Sequence, residues 1–236
     1  MPLSGTKPFV LITGANRGLG LRLAASYARD GWQVHGTARE PARAANLLAI
    51  DGVAAVHQLD VTDPDSVRAL AQALDRQPID LLLHHAASRA PRDAYLGELD
   101  YAGWAEVLET NLFGPLRVTE ALLANLRAGR RRHVVIITGD SGAAATSDSG
   151  GDYVHRSTAA AVRAALHCAG LDVGWEGFTV VALQPAAQRA KQRALSEEEL
   201  ATDLRQTRTV LDGLGTAING QLLDSAGKVL PAKAAG

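Results

Sequence analysis

Residues 13–20 read TGANRGLG, directly after a short apolar run at residues 9–13 and before an amphipathic segment. Three glycines between a strand and a helix meet three needs: a tight turn at Gly14, close approach of backbone amides to an anion at Gly18, and close helix–sheet packing at Gly20. The positive end of the following helix favours a phosphate group. The stretch therefore predicts a turn that binds the pyrophosphate of a dinucleotide.

The rest of the chain alternates apolar runs with amphipathic segments, which predicts a parallel sheet with helices on both faces. We expect strands at residues 9–13, 32–37, 53–59, 79–84, 134–138, 178–183 and near 224–227. We expect helices at residues 17–29, 63–76, 104–127, 153–169 and from 196 onward, the third being interrupted at Gly114-Pro115. The predicted fold class is α/β: a single-domain, doubly wound parallel sheet of Rossmann type over residues 1–236.

Composition excludes several classes of function. A net charge of −1 over 236 residues provides no general attraction to nucleic acid or to an anionic membrane. The basic run at residues 130–133 is interpreted as a solvated corner between a helix and a strand. Cys168 is the only cysteine. With no apolar leader and no apolar run of 18 residues, the chain is expected to be soluble and cytoplasmic.

The glycine turn and three later segments resemble the short-chain dehydrogenase/reductase family over nearly the whole chain. The segment 59–61 (Leu-Asp-Val) is similar to the family's adenine-contacting segment, and Asn111 lies in a segment similar to its central-helix motif. Residues 224–227 resemble its last strand. The resemblance assigns cofactor contacts to Thr13, Gly14, Asn16, Arg17, Gly18, Leu19, Gly20, Asp60, Val61, Ala86 and Pro185.

The charge pattern after the second strand bears on the choice of cofactor. An enzyme that binds NAD usually places an acidic residue there for the ribose 2′-hydroxyl. This chain reads Gly-Thr-Ala-Arg at residues 36–39, with no acid before Glu40. Arg39 and Arg17 are able to hold a 2′-phosphate by charge-assisted hydrogen bonds, which favours NADP(H) over NAD(H). The alternative is that both arginines only face water.

The family resemblance implies a tyrosine and a lysine spaced Tyr-x-x-x-Lys, together with a serine and an asparagine. Two alignments of residues 149–160 compete. In the first, Tyr153 is the tyrosine and Ser157 takes the lysine position; in the second, which we prefer, His155 and Ala159 take these positions. Both lack the lysine, because none occurs between Lys7 and Lys191.

Other positions on the nicotinamide side also differ from the family pattern. Gly139 takes the usual serine position, and the Asn-Asn-Ala-Gly segment reads His-His-Ala-Ala at residues 84–87. The adjacent histidines should point to opposite faces of the sheet, and no ligand spacing predicts a metal site. The candidate catalytic residues are Asn111, His155, Tyr153 and Ser141.

Three functions remain open at this point. The first is an NADP(H)-binding subunit with a degenerate active site, which supports a ketone/alcohol redox step in a homo- or hetero-oligomer with a competent paralogue, in a pathway such as secondary-metabolite biosynthesis. The second is an atypical but active NADPH-dependent ketoreductase that uses His155 or Tyr153 as its acid. The third is a dinucleotide sensor or scaffold without turnover. The expected ligand besides the cofactor is a small ketone or alcohol.

Overall fold

The computed structural model describes residues 7–88, 95–139, 150–186 and 195–230. Seven parallel strands form one sheet in the order β3-β2-β1-β4-β5-β6-β7. The strands are β1 Phe9–Thr13, β2 Gln33–Ala38, β3 Val53–Gln58, β4 Leu81–His84, β5 His133–Ile137, β6 Thr179–Gln184 and β7 Leu222–Asp224. The helices are α1 Gly18–Arg29, α2 Ala45–Leu48, α3 Pro64–Ala73, α4 Tyr101–Leu108, α5 Gly114–Ala121, α6 Leu123–Ala128, α7 Tyr153–Gly174 and α8 Glu197–Asp212. The predicted α/β fold class is confirmed.

Apolar strand residues build a separate core on each face of the sheet. Leu11 and Leu82 belong to the core on one face, whereas their neighbours Ile12 and Leu83 belong to the core on the other. Successive side chains of a strand point to opposite faces, so continuously apolar strands need a cover of helices on both sides. In the described ranges, no helix has both the length and the hydropathy that a membrane span requires.

Two helix starts follow from local sequence as predicted. The Asp63 side chain accepts a hydrogen bond from the Asp65 backbone N–H at 2.9 Å, and Pro64 opens α3. At α8, the Ser196 hydroxyl accepts from the Glu199 backbone N–H, and the Glu199 carboxylate accepts from the Ser196 backbone N–H. Both arrangements satisfy backbone donors that a helix start leaves free.

The long central helix expected at residues 104–127 is divided more finely than predicted. It begins earlier, at Tyr101, and a π-helical segment at Glu109–Phe113 separates α4 from α5. Pro115 lies in the first turn of α5, where its missing N–H costs nothing, so the predicted restart is confirmed. A further break at Leu122, with φ −105° and ψ 9°, was not predicted.

Two other boundaries were wrong. The last strand ends at Asp224, before most of the range near 224–227, because the Asp224 carboxylate accepts the backbone N–H groups of Ala226 and Lys228 and turns the chain. Helix α7 continues to Gly174, beyond the predicted end at residue 169. Residues 140–149, between β5 and α7, lie outside the described residues.

The basic run at residues 130–133 leads from α6 into β5, as interpreted from sequence, but it is not solvated throughout, because His133 is 8% exposed and is the first residue of β5. The buried Asp80 carboxylate accepts the backbone N–H groups of Phe9 and Arg130 at 2.9 and 2.8 Å. Arg132 donates to the carbonyl of Glu176 beyond the end of α7. These bonds fix the corner against the amino ends of the strands, at the edge opposite the glycine turn.

The strand order changes direction between β1 and β4. β1 pairs with β2 on one side and with β4 on the other, so the connections that leave β1 and β4 run to different parts of the sheet. In open α/β sheets, ligands bind beyond the carboxyl ends of the strands at such a switch point. The glycine turn and the residues after β4 meet at this place.

Candidate functional site

The turn after β1 adopts a conformation that depends on glycine. Gly14 and Gly18 have φ values of +64° and +54°. A Cβ added at Gly14 would lie 2.9 Å from the Cα of Ala86, so the backbone of the next segment occupies that space. Arg17 precedes α1 in an extended conformation, and its side chain makes no capping hydrogen bond. The first N–H groups of α1 are therefore left for an anion.

Neighbouring elements hold this turn in place. The Thr37 hydroxyl accepts from the Gly14 N–H at 3.3 Å, and the Thr37 carbonyl accepts from the Ala15 N–H at 3.0 Å. The Asn46 side chain in α2 donates to the Asn16 carbonyl at 2.8 Å. The sequence predicted neither α2 nor this contact. The geometry of the turn is thus set before any ligand binds.

The chain that leaves β4 packs beneath the same turn. The Thr13 hydroxyl accepts the backbone N–H groups of His85 and Ala86 at 3.1 and 3.2 Å. The imidazole Nδ1 of His85 lies 3.2 Å from the Gly14 carbonyl oxygen. A Cβ at Gly20 would lie 2.6 Å from that Nδ1. Gly20 therefore leaves the space that the imidazole fills.

The same segment, residues 85–88, is also hydrogen-bonded to Asn111 in the π-helical segment. Arg17 donates to the Ala87 carbonyl at 3.3 Å. The Asn111 side chain accepts from the Ser88 N–H at 2.8 Å and donates to the Ser88 carbonyl at 2.9 Å. A continuous set of hydrogen bonds thus joins the glycine turn to Asn111. The π-helical geometry at this residue is of a kind that often marks functional sites.

His84 points to the opposite face from His85, as the strand periodicity predicted. Its Nε2 lies 2.9 Å from the Thr119 hydroxyl, which itself donates to the Pro115 carbonyl at 2.7 Å. The hydroxyl therefore accepts from Nε2–H. Complete burial lowers the pKa of His84 to about 3, so the side chain is neutral at physiological pH. This histidine ties β4 to α5 and does not face the turn.

Arg39 and Asp60 lie at the neighbouring carboxyl ends of β2 and β3. Burial acts to raise the pKa of the Asp60 carboxyl, but hydrogen bonds from Thr62 and the positive charge of Arg39 outweigh it and lower the pKa. Arg39 is exposed and close enough for its charge to act on Asp60. The Val61 carbonyl accepts from Arg117 at 2.8 Å, which fixes the chain after Asp60.

The first turn of α7 carries the candidate proton donors. Tyr153 is 36% exposed, and its ring centroid lies 6.5 Å from that of Trp104 in α4. The Ser157 hydroxyl donates to the Tyr153 carbonyl at 2.7 Å, a bond within the helix. His155 is partly buried one residue before Arg156. Ser141, the remaining catalytic candidate, lies outside the described residues.

The chain after β6 is anchored by a residue that sequence reasoning missed. Pro185 is buried, and the Ala186 N–H donates to the buried Asp203 carboxylate of α8 at 2.7 Å. The Gln184 side chain donates to the Gly139 carbonyl at 2.8 Å and joins the ends of β5 and β6. No motif in the sequence marks Asp203, because its partner is set only by the docking of α8.

Comparisons with known proteins agree with this geometry. A family model of short chain dehydrogenases matches residues 8–200. The C-signal of Myxococcus xanthus is 34% identical over 166 residues, which cover 70% of this chain and 99% of the relative. The 3-oxoacyl-[acyl-carrier-protein] reductase FabG of Escherichia coli is 29% identical over 202 residues, covering 83% and 80%. NADPH-bound carbonyl reductase from chicken fatty liver is 25% identical, with a TM-score of 0.80 and coverage of 94% and 98%.

This chain belongs to the short-chain dehydrogenase family. The region that matches the family model is about four-fifths of the sequence and includes the glycine turn, Asn111 and the start of α7. Within this family member, the structure brings the candidate cofactor residues together along the carboxyl edge of the sheet, from β3 to β6. Sequence reasoning did not assign Thr37, Asn46, His85 or Asp203 to the site. Only His85 carried a signal, its position directly after a predicted strand.

Proposed function

We propose that this family member binds NADP(H) and acts as a reductase-type subunit that supports a ketone/alcohol redox step together with a competent paralogue. One contrast carries the proposal. The turn that would hold the pyrophosphate is fully assembled, with Thr13, Thr37 and Asn46 each bonded to it or to its neighbour. The start of α7, which would act on the nicotinamide side, provides no lysine.

The fit of a dinucleotide rests on space and on charge. At Gly18 nothing lies closer than 4.0 Å to an added Cβ, so the start of α1 is open for a phosphate group. Arg39 supplies an exposed positive charge directly after β2, and β2 itself carries no acidic residue. The carbonyl reductase relative that binds NADPH supports the same cofactor here. When bound, NADPH would supply a hydride, while the chain's own residues position its phosphates.

A charge-removing substitution tests the choice of cofactor. We expect Arg39→Ala to weaken NADPH binding by roughly 10- to 100-fold, because a charge-assisted hydrogen bond to the 2′-phosphate contributes about 1.5–3 kcal/mol. NADH binding should change by less than about twofold. Arg43→Ala is the matched control, since Arg43 is exposed and pairs with Glu40 at 3.0 Å. Equal losses for both cofactors in fluorescence titrations would contradict the assignment.

Neither alignment at α7 supplies the cation that the family tyrosine needs. In the alignment through Tyr153, Ser157 stands at the lysine position and its hydroxyl is bonded within the helix. In the alignment through His155, the corresponding residue is Ala159. The described lysines lie elsewhere: Lys7 precedes β1 at the opposite edge, and Lys228 follows β7 in an exposed turn. An unassisted tyrosine is a poor acid at neutral pH.

Association with a paralogue is supported by exposed apolar side chains on two helices. Leu171 of α7 is 68% exposed, Trp175 directly after α7 is 82% exposed, and Tyr101 at the start of α4 is 70% exposed. Large apolar side chains are enriched at protein–protein interfaces, aromatic ones above all. Leu171 and Trp175 lie together at the end of α7, and a subunit that covers them would bring its own complete site.

Co-expression separates the possible functions. The purified chain should bind NADPH but oxidise it no faster than buffer when given a panel of ketones. Turnover should appear, or rise at least tenfold over the paralogue alone, in a complex with a family member from the same genome.

Turnover by the isolated chain would instead favour the ketoreductase. That alternative is supported by the position of His155, which is partly buried in the first turn of α7, three residues after Asp152 with its left-handed φ of +56°. Binding without turnover in either sample would favour the sensor.

A further inference from the structure

His85 lies beneath the candidate cofactor turn, where the sequence motif predicts no titratable group. Its Nδ1 is 3.2 Å from the Gly14 carbonyl oxygen, and its Cε1 is 4.0 Å from the position of a Cβ at Gly18. The ring therefore extends from the start of the turn toward the first residue of α1. That residue is where a phosphate group would approach the backbone amides.

The contact with Gly14 fixes which nitrogen carries the proton. A carbonyl oxygen only accepts hydrogen bonds, so Nδ1 is the protonated nitrogen of the neutral imidazole. Nε2 then holds a lone pair, and no group in the described part of the chain forms a hydrogen bond with it. A lone pair facing an anion is repulsive, whereas an added proton there would convert Nε2 into a donor.

Three influences act on the proton affinity of this imidazole in the free protein. Burial lowers the pKa of His85, the carbonyl of Gly14 acts in the opposite direction, and the positive charge of Arg17 lowers it further. Arg17 is the charged group that faces the ring from the turn. From β4, the neighbouring His84 points to the other face and is neutral. A bound pyrophosphate would bring negative charge to the same place and reverse the balance.

We propose that His85 takes up a proton at Nε2 from solvent when a dinucleotide pyrophosphate occupies the turn, and that the resulting N–H donates to a phosphate oxygen. This inference rests on the proposed cofactor binding and adds a residue to it. Cofactor binding then consumes a proton, so the affinity falls as the pH rises. The Nδ1 bond to Gly14 persists in both states, so the ring does not need to move.

Calorimetry measures the proton uptake on NADPH binding directly. We expect NADPH binding at pH 7.5, measured in buffers of different ionisation enthalpy, to be accompanied by a net uptake of protons, up to about one per site. The 2′-phosphate is already ionised at this pH, since its pKa is about 6. Between pH 6.5 and 8.5 the dissociation constant should rise by up to about tenfold per pH unit.

His85→Asn is the test variant, because its amide N–H is able to keep the bond to Gly14. We expect it to bind NADPH with less than about 0.1 proton taken up and with a nearly flat pH profile. His167→Asn, which changes an exposed histidine of α7, should behave as the wild type. If His85→Asn does not fold, His85→Gln replaces it.

The outcomes separate this proposal from the proposed function. NADPH binding without proton uptake by the wild type, or with equal uptake by His85→Asn, would overturn the role of His85 alone. Absence of NADPH binding would overturn both. Proton uptake that disappears in the variant, while folding and binding remain, supports both.

Discussion

Lowering the pH from 7 to 5 is expected to remove about 3–5 kcal/mol from the free energy of unfolding, out of a total of about 5–15 kcal/mol for a typical domain. The cause is a set of buried neutral histidines. His35, His84 and His133 are 6%, 2% and 8% exposed. Burial lowers the pKa of His84 to about 3, and burial is the main cause that lowers the pKa values of His35 and His133 to about 4.

The direction of this change in stability follows from which state, folded or unfolded, binds more protons. In the unfolded chain these histidines titrate near pH 6.5, so below that pH the unfolded state binds more protons than the folded state. The stability that the neutral buried histidines contribute above pH 6.5 is therefore lost progressively as the pH falls from 6.5 toward 4. His35 adds a local constraint, because its Nδ1 lies 2.9 Å from Nε2 of His57 and only one proton fits between the two rings.

Urea denaturation at pH 7, 6, 5.5 and 5 measures this loss. His133→Phe should reduce the slope of stability against pH by about 1.4 kcal/mol per unit, the contribution of one titrating group. His167→Phe is the matched control, because His167 is exposed. Carboxylates alone would destabilise the fold mainly below pH 4. A flat stability between pH 7 and 5, or an unchanged slope in His133→Phe, would refute the explanation.

Restoring the family pair in α7 is expected to give the largest change in activity. His155→Tyr combined with Ala159→Lys should raise ketone reduction by the isolated chain about 10²- to 10⁴-fold over its background, the usual contribution of a general acid. Residues 155 and 159 lie one helical turn apart on the same face of α7 and are both partly buried. The added amine would lower the pKa of the new phenol.

Ser157→Lys is the matched variant for the other alignment, in which Tyr153 is already present. Activity in this single variant, but not in the double variant, would show that Tyr153 sets the alignment. NADPH affinity is measured for both proteins, so that a loss of binding is not read as a loss of chemistry. If both variants bind NADPH and neither gains tenfold, the missing pair is not what prevents turnover.

Local signals allowed much of the fold to be predicted. The glycine turn and the helix starts at residues 63 and 196 each depend on residues within a few positions of one another. Apolar runs located the strands at the centre of the sheet, such as β1 and β4, since a strand covered on both faces must be apolar along its length. The π-helical segment at residues 109–113 escaped prediction, because its contacts with α7 and the bonds of Asn111 to Ser88 are made by tertiary packing and are not marked by residue type.

The contacts of the site were less predictable than its motifs. The sequence indicated that His84 and His85 face opposite ways, but which one faces the turn depends on the register between β1 and β4. Asp203 bonds to the Ala186 N–H across 17 residues of chain, and Asn46 reaches Asn16 from a short helix without an apolar pattern. Such pairs depend on tertiary packing and produce no periodic pattern in the sequence.

Titration of the purified chain with NADPH tests the central claim most directly. The assembled turn, with its glycines at positive φ and its neighbours already bonded, predicts a dissociation constant in the micromolar range and weaker binding of NADH. The same sample should oxidise no NADPH with ketones. Calorimetry that detects neither NADPH nor NADH binding at millimolar concentration, alone or in the native assembly, would contradict the account.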